Sequence, residues 1–286
     1  PYNFAITGGF NKGPTSASDD ANWGLLHHGD ESIGLGMKDL WGYPSGIQNY
    51  GGVNVDIFND GKHVDVVICD DPVSTDCDEW ISPTSGQTRF IQYDWYTQLN
   101  TLVGTIDDDS QTLPTGSYPN YFTNSVNTEY HGTHVAGTVA GQFYGWAREA
   151  NIYSMQVLGN TSNTGTPVPD LLIFDYLRAF HRSKTVNPDT GIKNPTVTNH
   201  SWGYSYNLAD ILEKADNTAT NADVEDAIKE GIVLVSSAGN NNFHCVADGD
   251  PDYYNTVTIS GLGTVFYNRG SSPSNSGNTI CVGALS

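Results

Sequence analysis

The chain has 286 residues and a formal charge of −20 at pH 7, and 25 of its 32 acidic residues are aspartate. A field of that sign repels phosphates and excludes nucleic acid or an anionic membrane as partner. No apolar run approaches the ~18 residues that span a bilayer, while the length suffices for one sizeable core.

Residues 1–60 are rich in Gly, Asn and Asp with little periodicity. They read as an irregular arm over a single domain at 61–286, with a short helix near Ile33 to Leu40. The first strong element is the β-branched run Val64 to Cys69, which ends in Asp70-Asp71-Pro72 and reads as a buried parallel strand. Residues 72–128 carry Gly, Pro and Asp throughout and read as a long insertion bearing a hairpin. His131 to Trp146 holds small residues at Gly132, Ala136, Gly137, Ala140 and Gly141, which predicts a tightly packed buried helix.

Strand and helix then alternate. Strands are predicted at Asn151 to Leu158, Pro195 to Asn199, Ile232 to Val235 and Thr279 to Ala284. Between them, Asp170 to Arg182 is an amphipathic helix with Asp170 as N-cap, and Asn207 to Glu230 contains another, ended by Gly231. This order predicts an α/β fold: a doubly wound, mostly parallel sheet with helices on both faces and long loop insertions. Sites in such sheets lie at the carboxyl ends of the strands.

Three chemically apt residues fall at those ends. Asp70 follows the first strand, His131 opens a Gly- and Ala-rich helix, and Asn240 follows the strand Ile232 to Val235. Acyl transfer needs this set: a base, a group to orient it, and a donor for the developing oxyanion.

The run His131-Gly132-Thr133-His134-Val135-Ala136-Gly137-Thr138 resembles the histidine motif of the subtilisin-like serine protease (subtilase) family. Gly61 to Asp70 is similar to the family's aspartate strand, Asn199 to Gly203 to its substrate-pairing segment, and Gly231 to Asn240 to its oxyanion loop. The resemblance implies a serine endopeptidase. His131 would be the general base, Asp70 its orienting carboxylate and Asn240 the oxyanion donor. Ser201, Trp202 and Gly203 would offer a backbone edge to an extended peptide, and Ser237 and Gly239 would line the pocket before the scissile bond. Between the adjacent acids, the strand pattern favours Asp70 over Asp71. Between the two histidines, the resemblance turns His131 to the site and His134 behind it. A metal-dependent hydrolase on His131, His134 and carboxylates is the weaker alternative, because no third ligand has metal-type spacing.

The family's nucleophile segment, of the Gly-Thr-Ser-Met-Ala type, is not found. Ser271, Ser272, Ser274 and Ser276 lie in a Gly/Ser/Asn-rich loop without that pattern. The expectation is a serine on a C-terminal piece of the same precursor, and hence a partner fragment besides the peptide or protein substrate. The alternative is a catalytically silent subtilisin-like structural or binding protein of a larger assembly such as a virion. The chain starts at Pro1 with no signal peptide, so a leader has been removed or the sequence is partial. Extracellular or secreted action, virion association included, fits the composition.

No organic cofactor is implied. The alternating Asp248, Asp250 and Asp252 could hold structural calcium, against a solvated acidic loop as the plainer reading. Four cysteines allow three pairings. A Cys245–Cys281 bridge would close the loop after Asn240, and Cys69 and Cys77 form either a second bridge or buried thiols. His27, His28, His181 and His244 read as surface or capping groups.

Overall fold

In the computed structural model the described residues are 10–11, 54–55, 59–106, 111–117, 121–122, 131–143, 145–158, 168–203, 216–240, 249–260, 263–266, 272–274 and 276–283. The run predicted as the first strand forms β1, Asp65–Asp70, and every one of its residues is buried. A strand covered on both faces has no polar side to spare, which is why it reads as a near-continuous apolar run. β1 lies inside a five-stranded parallel sheet with β2 (Asn151–Gln156), β3 (Thr196–His200), β4 (Val233–Ser237) and β5 (Ile280–Val282). The spatial order is β5-β4-β3-β1-β2.

Side-chain alternation divides β1 between two cores. Val67 and Cys69 face a cluster built with α1 (Trp95–Val103), α3 (Ile173–Ser183) and α4 (Asp216–Lys229). Val66 and Ile68 face the smaller cluster of Ala136 and Ala140 on α2 (His131–Ala140), together with Val73, Trp80 and Phe90. Burying either set removes apolar surface at about 25 cal/mol per Å². Two helices of the larger layer are also tied by charge: Glu230, just past α4, accepts from Arg178 Nε at 2.7 Å and from Arg182 Nε at 2.7 Å.

The predicted strands and helices recur with shifted ends, and three details differ. First, the stretch expected as a loop insertion contains α1. Asp94 caps it by accepting from the Thr97 amide at 3.0 Å, and Trp95, Leu99 and Val103 enter the core. Among the described residues of that stretch, the antiparallel pairing is an isolated bridge between Ile81 and Thr88. Second, Asp170 is not an N-cap: it opens a 3₁₀ turn, Asp170–Leu172, that leads into α3. Third, Cys281 is a free thiol, so the Cys245–Cys281 bridge is not present, while Cys69 and Cys77 take the free-thiol alternative, Cys69 buried and Cys77 half-buried. Burial pushes the Cys69 thiol well above its ordinary range, which keeps it protonated and inert. Gly231 does end α4, with φ at +96°. The arm helix near Ile33 to Leu40, His27, His28, Cys245 and His244 lie outside the described residues.

His200, at the end of β3, is fully buried between Phe174 and Trp202, with ring centroids 5.5 and 5.4 Å away. Burial lowers its pKa to about 3, so the native state holds it neutral. The unfolded chain takes up that proton below about pH 6.5, so His200 withdraws stability as the pH falls from there towards 3, at about 1.4 kcal/mol per unit. Urea unfolding at pH 7 and pH 5 should therefore show the wild type losing about 2 kcal/mol more than His200→Gln. Equal losses in both proteins would mean that this ring is not a buried neutral group.

Candidate active site

The sheet order places β1 beside β3, with β2 on the other flank. The chain crosses from β1 to β2 by way of α2, then returns over β1 to β3 by way of α3. Between β1 and β3 the winding reverses, and a crevice opens at the carboxyl ends of those two strands. Asp70 is the last residue of β1. By alternation it faces the same way as Val66 and Ile68, towards α2, and His131 is the first residue of α2. Their contact is direct: His131 Nδ1 lies 2.6 Å from Asp70 Oδ1.

Several bonds hold that contact in place. The same Oδ1 accepts from the Asp71 amide at 2.7 Å. The Asp70 carbonyl accepts from Val157 N at 2.9 Å, and Trp202 Nε1 donates to the Cys69 carbonyl at 2.7 Å. Thr133, in the first turn of α2, accepts the Ser74 amide at 2.9 Å and so joins that helix to the loop after β1. At the far end of α2, Arg89 donates to the Ala140 carbonyl at 2.6 Å and to the Ala150 carbonyl at 3.0 Å. The motif analysis missed both Thr133 and Arg89 as supports. A lone arginine between Thr88 and Phe90 in a chain this acidic was the available signal for the second.

The electrostatics follow from burial on one side only. Asp70 is fully buried while the His131 side chain is 56% exposed. Burial raises the Asp70 carboxyl, and the hydrogen bonds from His131 and the Asp71 amide pull it back down. The bond to Asp70 raises the His131 imidazole above its ordinary value, with the charges of Asp70 and Asp71 adding to it. With Nδ1 donating to the carboxylate, Nε2 keeps a lone pair on the exposed side of the ring. That is the posture of a general base.

The remaining predicted residues sit at neighbouring strand ends. Ser201, Trp202 and Gly203 follow β3. Trp202 is buried and anchored on Cys69, Ser201 Oγ accepts from Asn199 Nδ2 at 2.9 Å, and Gly203 is exposed. Ser237 ends β4 half-buried, and Gly239, at φ +92°, and Asn240 follow it exposed. His134 is exposed one turn along α2 and stands outside the Asp70–His131 contact. The acidic run behaves as local structure: Asp250 caps a short 3₁₀ turn through the Asp252 amide, Asp252 accepts from Asn255, and Asp248 lies outside the described residues. Among the serines, Ser272, Ser274 and Ser276 are buried, with none of them in a helix, and Ser271 lies outside the described residues. A cavity of about 680 Å³ lies at the opposite end of the sheet around Asp65, Asn151 and Lys184, and Asp70, His131 and Asn240 do not line it.

Gly132 carries a specific steric burden. A Cβ there would stand 2.0 Å from the Asp71 carbonyl oxygen and 3.4 Å from the Asp70 Cβ. Backbone cannot yield to that, so Gly132→Ala should push α2 off β1. The expected cost is about 1–3 kcal/mol in chemical denaturation, with loss of the downfield imidazole proton resonance of a carboxylate-bound His131. Wild-type stability with that resonance intact would show that the approach is not tight.

The sequence matches the Peptidase S8 family, described as the subtilase family, over residues 61–286. Alkaline protease 1 of Emericella nidulans is 31% identical over 136 residues, covering 47% of this chain and 29% of that protein. Proteinase R of Parengyodontium album is 26% identical over 214 residues, covering 70% of this chain and 48% of that protein. The chain thus spans less than half the length of these relatives. Among solved structures, Sphericase aligns at 20% identity and a TM-score of 0.47, over 79% of this chain and 54% of that one. With its matched region taking in the paired Asp70 and His131, the chain belongs to the subtilase family.

Proposed function

We propose that this chain supplies the base, the orienting carboxylate and the oxyanion donor of a serine endopeptidase. The observation that carries the reading is the 2.6 Å contact between His131 Nδ1 and a buried Asp70, formed at the winding reversal of the sheet. In the proposed cycle, His131 Nε2 removes the proton of a serine hydroxyl as its oxygen attacks the scissile carbonyl carbon. The carbonyl oxygen becomes the oxyanion, to which the Asn240 amide donates. His131 then returns the proton to the departing amine, and water releases the acyl group by the same steps. Asp70 holds the tautomer and stabilises the imidazolium in between.

The nucleophile is proposed to come from outside these 286 residues, on a C-terminal piece of the same precursor, since none of Ser271, Ser272, Ser274 and Ser276 carries the family's serine pattern. The substrate is an extended peptide whose backbone adds at Ser201, Trp202 and Gly203, with its side chain entering beside Ser237 and Gly239. Action outside the cell is proposed on composition, and no described helix is long and apolar enough to cross a membrane.

A fluorophosphonate probe tests the reading on the intact protein. It should label one serine, and His131→Ala should suppress labelling and lower turnover on the order of 10⁶-fold. No label on the protein with its dyad formed would instead favour the silent assembly component. Asn240→Ala separates transition-state from ground-state binding. The expected loss is about 10²–10³ in kcat with KM nearly unchanged, whereas an equal change in both would give Asn240 a binding role only.

A further inference from the structure

Asp71 has no part in the cycle above, yet it completes a cluster with the two residues that do. One ligand atom from each of Asp70, Asp71 and His131 lies within 4.8 Å of the others, the one such group among the described residues. A second observation points the same way. Asp70 is fully buried, and among the described residues its Oδ2 has no hydrogen-bond partner. A buried carboxylate oxygen left without a donor is costly, and a cation in reach of it removes that cost. The half-exposed imidazole leaves an entry from solvent. One imidazole nitrogen and two carboxylates suit zinc and similar transition ions, whereas calcium takes six to eight oxygens.

We propose that Asp70, Asp71 and His131 form an inhibitory site for a divalent transition cation of the zinc type. Its consequence for activity rests on the peptidase reading, while its existence as a binding site does not. Ligands about 2.0–2.2 Å from a tetrahedral ion stand roughly 3.3 Å apart. His131 Nδ1 and Asp70 Oδ1, at 2.6 Å, therefore separate slightly as the ion enters, or Oδ2 takes the place of Oδ1. The ion takes the Nδ1 lone pair, and the imidazole proton moves to Nε2. A protonated Nε2 cannot accept from the serine hydroxyl, so the base is disabled while the peptide-binding edges stay open. Zinc should therefore lower kcat and leave KM nearly unchanged.

The test is calorimetric titration of the intact protein with Zn²⁺ alone, checked against a chromophoric chelator, with Co²⁺ absorption as the reporter of ligand type. The expected result is one site per molecule in the wild type. Its affinity should fall more than about 10-fold in Asp71→Asn and in His131→Ala, each with unchanged circular dichroism, and stay the same in His134→Ala. Equal affinity in the wild type and Asp71→Asn overturns the site, as does absence of binding. A Co²⁺ spectrum with thiolate charge transfer also overturns it, by assigning the ion to cysteine. Zinc binding in a protein without peptidase activity would keep the site and sink the protease; zinc-insensitive peptidase activity would do the reverse.

Discussion

A carboxylate buried at the end of a central strand governs the rest of the site. Asp70 has no exposure, and burial alone would drive it towards its neutral acid. Among the described residues two donors reach it, the Asp71 amide and His131 Nδ1, both on the same oxygen. The imidazole is therefore held by what the carboxylate lacks. Each supporting feature keeps that bond in place: Gly132 lets the helix approach, Thr133 pins its first turn, Arg89 donates to the carbonyl of its last residue, Ala140, and Trp202 fixes the strand from the other side.

Topology explains why these groups meet although 61 residues separate them. The order of the parallel strands puts the winding reversal between β1 and β3. The two-residue period of β1 then decides which face its last side chain takes. Asp70 shares parity with Val66 and Ile68, which pack on α2, whereas Val67 and Cys69 pack on the opposite layer. The preference for Asp70 over Asp71 thus has a geometric basis, although both carboxylates remain close to the imidazole.

The parts legible in the sequence were those whose local pattern coincides with their tertiary role. Val66 to Cys69 form the apolar run at the middle of β1 because both faces are covered, and α2 is rich in small residues because it presses on β1. α1 was hidden because Gly, Pro and Asp surround it. Its Trp95, Leu99 and Val103 spacing and the Asp94 cap are plain once the helix is seen. His200 was hidden for another reason: its burial depends on Phe174 and Trp202, which come from other parts of the chain. Asp71 and Arg89 were hidden likewise, since a cluster or a helix-end contact across 50 or more residues leaves no local periodicity.

β1 carries a buried acid at each end, and the two are handled in opposite ways. At its start, Asp65 accepts from Asn151 Nδ2 at 2.8 Å, from Asn194 Nδ2 at 3.0 Å, and pairs with Lys184 Nζ at 2.7 Å. Both oxygens are satisfied and the cation is itself buried, so removing one partner would strand the other. This closed arrangement lines the cavity of about 680 Å³ and leaves neither carboxylate oxygen without a partner. At the other end, Asp70 keeps one oxygen without a donor and shares the other with a ring that is half in water. Satisfaction at the amino end secures the strand. On the proposed readings, incompleteness at the carboxyl end is what lets the imidazole accept a proton and the carboxylate a cation, so one strand would serve stability at its start and reactivity where it stops.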